Sequence, residues 1–344
     1  MKAMLLTGID RMEMREVADP VIENDSDVLI KMAAVGVCGS DVHYYVSGNI
    51  GSQVVEYPFA VGHECVGVVE RIGSAVTGVK PGERVAIEPA VSCGECDQCK
   101  AGRRHTCRKL KFLGCPGQVE GCLSEYIVMP QECCFKIKES MTFVQAAISE
   151  PLAIGVYAVK QSVAMKGAKV GILGVGPIGL SVLLPARAQG AEKIYITDKI
   201  DDRVKIAKDA GANWAGNCDK VNIVEEIKAI EPGGLDVVFE CCGQQDAIDQ
   251  AIELLKPGGK LMLIGIPTVD RVSFTVDKMR RKEICVQNVR RQVDCVQDAL
   301  DMIDNKDFDV DFMATHHFPF EETKEAFDLV ANYKDGVIKA MIDF

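Results

Sequence analysis

Four cysteines, Cys93, Cys96, Cys99 and Cys107, fall within fifteen residues of this 344-residue chain. Two, two and seven residues separate them, so one loop can fold back and point four sulfurs at a common centre. Thiolates so arranged suit tetrahedral Zn²⁺, held at about 2.3 Å by four soft donors. Such a site has no open coordination position, so it would brace a loop rather than do chemistry. An iron–sulfur cluster is the competing use of the spacing, but cluster runs usually carry a proline after the last cysteine; here Arg108 follows.

A second set of donors has a different character. The run Gly36-Val-Cys38-Gly-Ser40-Asp41-Val-His43-Tyr44-Tyr45 precedes Gly62-His63-Glu64-Cys65-Val-Gly67. Cys38, His63 and Glu64 make a soft, a borderline and a hard ligand. Three protein ligands leave a fourth position for water or substrate, as a catalytic zinc requires. Taken singly, Cys38 also reads as core filler and His63-Glu64 as a surface pair, and spacing alone leaves both readings open.

The third chemical signal is Gly174-Val-Gly176-Pro177-Ile178-Gly179, with Asp198 nineteen residues after the last glycine. A glycine triplet by itself is weak. Between an apolar strand, Lys169–Leu173, and a helical pattern running to Gly190, it is a dinucleotide-binding signature. Gly174 permits the tight turn, Gly176 lets the backbone approach pyrophosphate, and Gly179 lets helix and strand pack closely. The helix N-terminus offers free N–H groups to the phosphates. Asp198 would accept from the ribose hydroxyls and repel a 2′-phosphate, which points to NAD rather than NADP, although Arg203 could tolerate that phosphate.

Positioning these groups takes two kinds of structure. From Lys169 onward apolar strands alternate with helices: Lys193–Thr197, then Leu235–Glu240, a helix over 244–256, a turn at Pro257-Gly-Gly259, a strand over Lys260–Ile264 and a further one over Glu283–Gln287. That pattern is α/β, a Rossmann doubly wound parallel sheet. The N-terminal third, with short alternations such as Val28–Lys31, Val66–Val69 and Arg84–Ile87 among frequent glycines, reads as β-rich. Apolar spacing predicts helices over Cys295–Ile303 and Thr323–Tyr333. The expected division is a catalytic zinc-binding domain over 1–152, a dinucleotide domain over 153–287 and a tail, 288–344, that returns to the first.

Composition narrows the class. The chain is 48% hydrophobic and 26% charged, with a formal net charge of −11, which disfavours a nucleic-acid binder because phosphate binding needs a basic face. The N-terminus lacks a long apolar export segment, and the apolar stretch Val170–Ala186 is broken by glycines and prolines, so neither export nor a membrane span is expected. Fifteen cysteines, an odd number with a metal-like cluster, fit a reducing cytoplasm; most of the scattered ones are expected to be small buried hydrophobes.

Read together, the chain resembles the zinc-containing medium-chain dehydrogenases, in particular their polyol branch of sorbitol and xylitol dehydrogenases. Gly62-His63-Glu64-x-x-Gly67 with Gly73 and Val76, Val79-Lys-Pro-Gly82-Glu-Arg-Val85, the cysteine lobe, Ser149-Glu150-Pro151-Leu152, the glycine loop and Thr315-His-His-Phe-Pro-Phe320 stand in that family's order. Ser40-Asp-Val-His-Tyr-Tyr45 and Gly48-Asn-Ile-Gly51 point to the polyol branch. The resemblance implies a GroES-like catalytic domain, NAD, one catalytic and one structural zinc, and a homodimer or homotetramer.

By position it implies Cys38, His63 and Glu64 as catalytic zinc ligands, and Glu150 as the glutamate that holds the zinc water or moves onto the metal. Asp41 would orient His63, Ser40 and His43 would relay protons, and Tyr44 would line the substrate pocket. Ile178, Asp198, Arg203, Ile266 and Val289 would meet NAD, with Arg290 on the substrate. The implied reaction takes hydride from a secondary alcohol of a polyol to NAD, giving a ketose. Two departures blur the substrate: Arg291 stands where sorbitol dehydrogenases carry tyrosine, and Cys115 where threonine is common. Arg290-Arg291, two adjacent cations that could favour a carboxylate or phosphate on the substrate, make an aldonate 5-dehydrogenase or sugar-phosphate dehydrogenase the alternative enzyme. A threonine dehydrogenase fits less well because of Ser40. A non-catalytic cofactor-binding protein would have lost one of Cys38, His63 or Glu64, and all three are present.

Overall fold

The computed structural model describes residues 1–344 and divides into two units, Met1–Glu150 with Val296–Phe344, and Pro151–Cys295. In the first unit the long strand Asp27–Gly36 is the centre of a seven-stranded sheet. One edge of it pairs antiparallel with Glu64–Ile72 along nearly its whole length. The other edge is shared: Tyr126–Pro130 takes Asp27 to Lys31, and the C-terminal strand Lys339–Asp343 takes Ala34 to Gly36. Val28, Ile30, Met32 and Val35 are buried in the resulting core.

Register decides what meets at the end of this strand. Gly36 is opposite Glu64 on one side and Met341 on the other. Because alternate residues of a strand share a face, Lys339 lies on the same face as Met341 and reaches past Gly36 toward Cys38. Glycine at position 36 leaves room for the Glu64 carboxylate: a Cβ there would stand 2.3 Å from Glu64 Oε2. Cys38 then caps the helix Gly39–Ser47, and the four-cysteine lobe is a loop stiffened by a short helix, Asp97–Lys100, and a 3₁₀ turn, Arg104–Thr106.

The second unit is a six-stranded, all-parallel sheet in the spatial order Trp214–Asn217, Lys193–Asp198, Lys169–Leu173, Leu235–Glu240, Leu255–Leu263, Cys285–Asn288. Numbered along the chain this is the doubly wound order 3-2-1-4-5-6. The glycine loop follows the central strand Lys169–Leu173 and opens the helix Pro177–Ala188. No helix of the chain is long and apolar enough to cross a membrane; Val170–Ala186 is strand, turn and helix.

The structure corrects three expectations. The edge strand Trp214–Asn217 was not anticipated; its four residues include a glycine and no β-branched side chain, so periodicity has nothing to grip. The helix over 244–256 is shorter, Gln245–Leu254, and Lys256-Pro-Gly-Gly259 belongs to the strand Leu255–Leu263 rather than to a turn before it. That strand pairs through Leu235 and Leu255, then shifts register before Val237 and Lys260, so the glycines lie in an irregular strand. The scattered cysteines are less uniformly buried than expected. Cys65, Cys115, Cys122, Cys133 and Cys295 are buried, Cys134, Cys218 and Cys241 are half-buried, and Cys242 and Cys285 are exposed, because the latter two sit on a loop and an edge strand.

Candidate active site

The four lobe cysteines bring one sulfur each into a cluster whose members lie within 4.8 Å of one another. Recorded separations are 3.5 Å for Cys93–Cys107, 3.6 Å for Cys96–Cys99, 3.9 Å for Cys96–Cys107 and 4.0 Å for Cys93–Cys99. A tetrahedron with about 2.3 Å metal–sulfur bonds has edges of about 3.8 Å, so these four of the six sulfur–sulfur separations are close to what a zinc ion would need. Backbone amides of Cys93 and Lys109 donate to Cys107 Sγ at 3.3 Å. Amides of Arg108 and Cys99 bring the Cys96 thiol down to about 6, which favours the thiolate that metals bind.

Cys38, His63 and Glu64 offer ligand atoms that also lie within 4.8 Å of one another, with Cys38 half-buried and the other two buried. The strand Glu64–Ile72 begins at the last of them, and the helix Gly39–Ser47 begins just after the first. Asp41, fully buried on that helix, accepts from Gly62 N at 3.2 Å and stands 3.2 Å from His63 Nδ1. An imidazole tied at Nδ1 presents Nε2 as the metal donor. Burial alone would push the His63 pKa down, but the charges of Asp41 and Cys38 outweigh it and hold it well above the ordinary value. The site therefore concentrates negative potential on its imidazole, which a divalent cation would neutralise.

Lys339 completes the surroundings. Its Nζ lies 2.6 Å from each Glu64 carboxylate oxygen and 3.2 Å from Val37 O, and 1% of the side chain is exposed. Only Oε1 takes a well-formed hydrogen bond; the buried Oε2 has none. A carboxylate whose second oxygen is ion-paired but makes no well-formed hydrogen bond, beside a thiol and an imidazole, is a donor set that could hold a metal ion. Sequence reading missed Lys339. Its signal was a lone cation inside the apolar run Val337-Ile-Lys339-Ala-Met-Ile342.

Three other expected residues, Ser40, His43 and Tyr44, share the helix that starts after Cys38. Ser40 Oγ donates to Cys38 Sγ at 3.2 Å. His43 is half-buried rather than solvated, and burial lowers its pKa, so it is neutral near pH 7. Tyr44, one turn beyond Ser40, donates to Gln53 Oε1 at 3.2 Å. Glu150 is buried in the same unit, and its charge acts on Lys339. The ring of Phe112 packs 5.1 Å from that of His63.

In the second unit Gly174 has φ +107°, and a Cβ on Gly179 would stand 1.9 Å from Gly174 O. Around Gly176 a Cβ would meet nothing within 4 Å; this is the open space a pyrophosphate would fill. Asp198 Oδ2 accepts from Val175 N at 2.7 Å and Oδ1 from Ile200 N at 3.0 Å, so the acid at the strand end also fixes the glycine loop. Arg203 is buried, Ile178 and Val289 are half-buried, and Ile266 and Arg290 are exposed.

A Rossmann sheet carrying an open glycine loop and a β-rich unit carrying two donor clusters that could each hold a metal ion are the features of a zinc-dependent oxidoreductase. The family described as Alcohol dehydrogenase GroES-like domain matches residues 24–139, and that described as Zinc-binding dehydrogenase matches residues 177–305. Sorbitol dehydrogenase of Bacillus subtilis is 35% identical over 99% of this chain and 97% of its own length. L-idonate 5-dehydrogenase of Vitis vinifera is 33% identical over 92% of this chain and 88% of its own. Among solved structures, a zinc-binding dehydrogenase of Sinorhizobium meliloti bound to NADP superposes with a TM-score of 0.91 at 30% identity, covering 100% of this chain and 99% of that one. The chain belongs to the zinc-containing medium-chain alcohol dehydrogenase family, in its polyol dehydrogenase branch.

Proposed function

We propose that the enzyme takes hydride from a secondary alcohol of a neutral polyol, of the sorbitol or xylitol kind, and passes it to NAD to give a ketose. One zinc would sit at Cys38, His63 and Glu64 and a second in the four-cysteine lobe. The observation that carries the reading is the convergence of a thiol, an imidazole and a buried carboxylate within 4.8 Å. The sorbitol dehydrogenase relative supports the substrate class.

When bound, zinc supplies the Lewis acidity that makes a substrate hydroxyl acidic near neutral pH, and the nicotinamide ring supplies the hydride acceptor. The chain's own residues do the rest. Asp41 holds His63 in one tautomer and orientation. Lys339 pairs with the Glu64 carboxylate and fixes where that group stands; Glu64 would supply an oxygen to the metal. Ser40 Oγ, beside Cys38, can both accept and donate a proton. His43, kept neutral by burial, is the next acceptor three residues along the same helix, and Glu150 is the buried carboxylate that would hold water at the open position. Gly174, Gly176, Pro177 and Gly179 would cradle the pyrophosphate, while Ile178, Arg203, Ile266 and Val289 would line the cofactor and Arg290 the substrate. Asp198 favours NAD because its charge opposes a 2′-phosphate.

A homodimer or homotetramer in the cytoplasm completes the proposal, and light scattering on the purified protein tests the assembly. The function itself is tested with xylitol, sorbitol, galactitol and several aldonates, following NADH absorbance before and after chelation and zinc restoration. Turnover of neutral polyols that is lost on chelation and regained with zinc is expected. Strict preference for acidic substrates would overturn the assignment.

A further inference from the structure

The helix Gly39–Ser47 carries Ser40 and Tyr44 on one face, since residues four apart stack along a helix. Ser40 touches the metal-ligating Cys38, and Tyr44 is about 6 Å further along the axis. There its phenol donates to Gln53 Oε1 at 3.2 Å and lies 3.8 Å from Cys115 Sγ, while Gln53 Nε2 donates to the same sulfur at 2.8 Å. The loop bearing Cys115 starts from the same centre. Phe112 packs on His63, and Gly114 lies so close to Gly62 that a Cβ would stand 2.6 Å from Gly62 O. Helix and loop thus both run from the metal donors to one trio of a phenol, a carboxamide and a thiol.

We infer that Gln53, with Tyr44 and Cys115, is the specificity element that reads the polyol hydroxyls beyond the reacting carbon. The inference rests on the polyol reading above and deepens it. The trio contains no cation. Its groups offer donors and acceptors together, and Gln53 keeps a second N–H and a second lone pair for a ligand. Hydroxyls, which donate and accept, match such a lining; a carboxylate or phosphate, which only accepts, does not. Gln53 is half-buried on a short hairpin, Asn49–Ile50 with Gln53–Val54, so it can meet solvent or substrate, whereas Tyr44 and Cys115 are buried behind it.

The test is steady-state kinetics of the zinc-loaded wild type, Gln53→Leu and Gln53→Glu with xylitol and with 2,3-butanediol, which lacks the distal hydroxyls. Losing a hydrogen-bonding group from a site built for hydroxyls should cut kcat/KM for xylitol by about tenfold or more. The value for 2,3-butanediol should stay within about twofold. Zinc content and melting temperature should not change, and should Gln53→Leu fail to fold, Gln53→Glu, of nearly the same shape, carries the comparison. Equal losses on both substrates, or no loss on xylitol, would overturn the inference while leaving the polyol reading intact. A wild type that oxidises 2,3-butanediol but no polyol would sink that reading and the inference with it.

Discussion

Lys339 and Glu64 are 275 residues apart in sequence, yet the ammonium lies 2.6 Å from the carboxylate with both side chains almost wholly buried. A buried pair like this stands against a large desolvation cost, so removing one partner leaves an uncompensated charge. Lys339→Met should lower the stability of the first unit by about 3–5 kcal/mol, measured by urea unfolding. The double variant Lys339→Met, Glu64→Met should recover much of that loss, because apolar replacement of a whole buried pair is often neutral. It should still lack metal at the catalytic centre. A single variant as stable as wild type would show that Lys339 does not hold Glu64.

The cysteine lobe should depend on its ion. Cys93, Cys96 and Cys99 are only half-buried, and the stretch Lys100–Arg104 is exposed, so little apolar burial holds the loop and metal binding must supply the folding energy. Cys96→Ser should reduce zinc from two ions to one per chain and speed hydrogen exchange across 93–107. Unchanged protection would mean that the lobe is stable without metal.

Asp198 should set cofactor choice. Asp198→Asn keeps an acceptor for the glycine loop and removes the charge that opposes a 2′-phosphate. The ratio of kcat/KM for NAD over NADP should fall by about tenfold, equivalent to about 1.4 kcal/mol. A ratio that does not move would assign NAD selectivity elsewhere.

Acid should weaken the second unit through Glu253. Lys278 and Lys228 pull its carboxyl from the ordinary 4.5 down to about 2. A depressed folded-state pKa means that the unfolded chain binds the proton first, so the stabilisation is fully present above 4.5 and fades as pH falls toward 2. The melting-temperature gap between wild type and Glu253→Gln should therefore be open at about pH 6 and nearly closed at about pH 2. A gap independent of pH would contradict this.

What could be read from the sequence was what is encoded locally. The strand Lys169–Leu173, Gly174 to Gly179 and Asp198 lie within thirty residues, and each has a conformational job that few other residues can do. The ligand spacings of the lobe are similarly self-contained. Features made by distant segments were not legible. Lys339 acquires meaning only when the C-terminal strand docks beside Gly36, and Gln53 only when a hairpin and a loop 62 residues apart meet at one sulfur. Trp214–Asn217 is a strand because Lys193–Asp198 offers it an edge, not because its own side chains prefer one.

The central claim is that Cys38, His63 and Glu64 share one metal ion. Anomalous diffraction at the zinc edge from crystals of the wild-type protein tests it directly. Two peaks are predicted: one among the four lobe sulfurs, and one about 2.0–2.3 Å from Cys38 Sγ, a His63 ring nitrogen and a Glu64 oxygen. A single peak confined to the lobe, in protein saturated with zinc, would contradict the account.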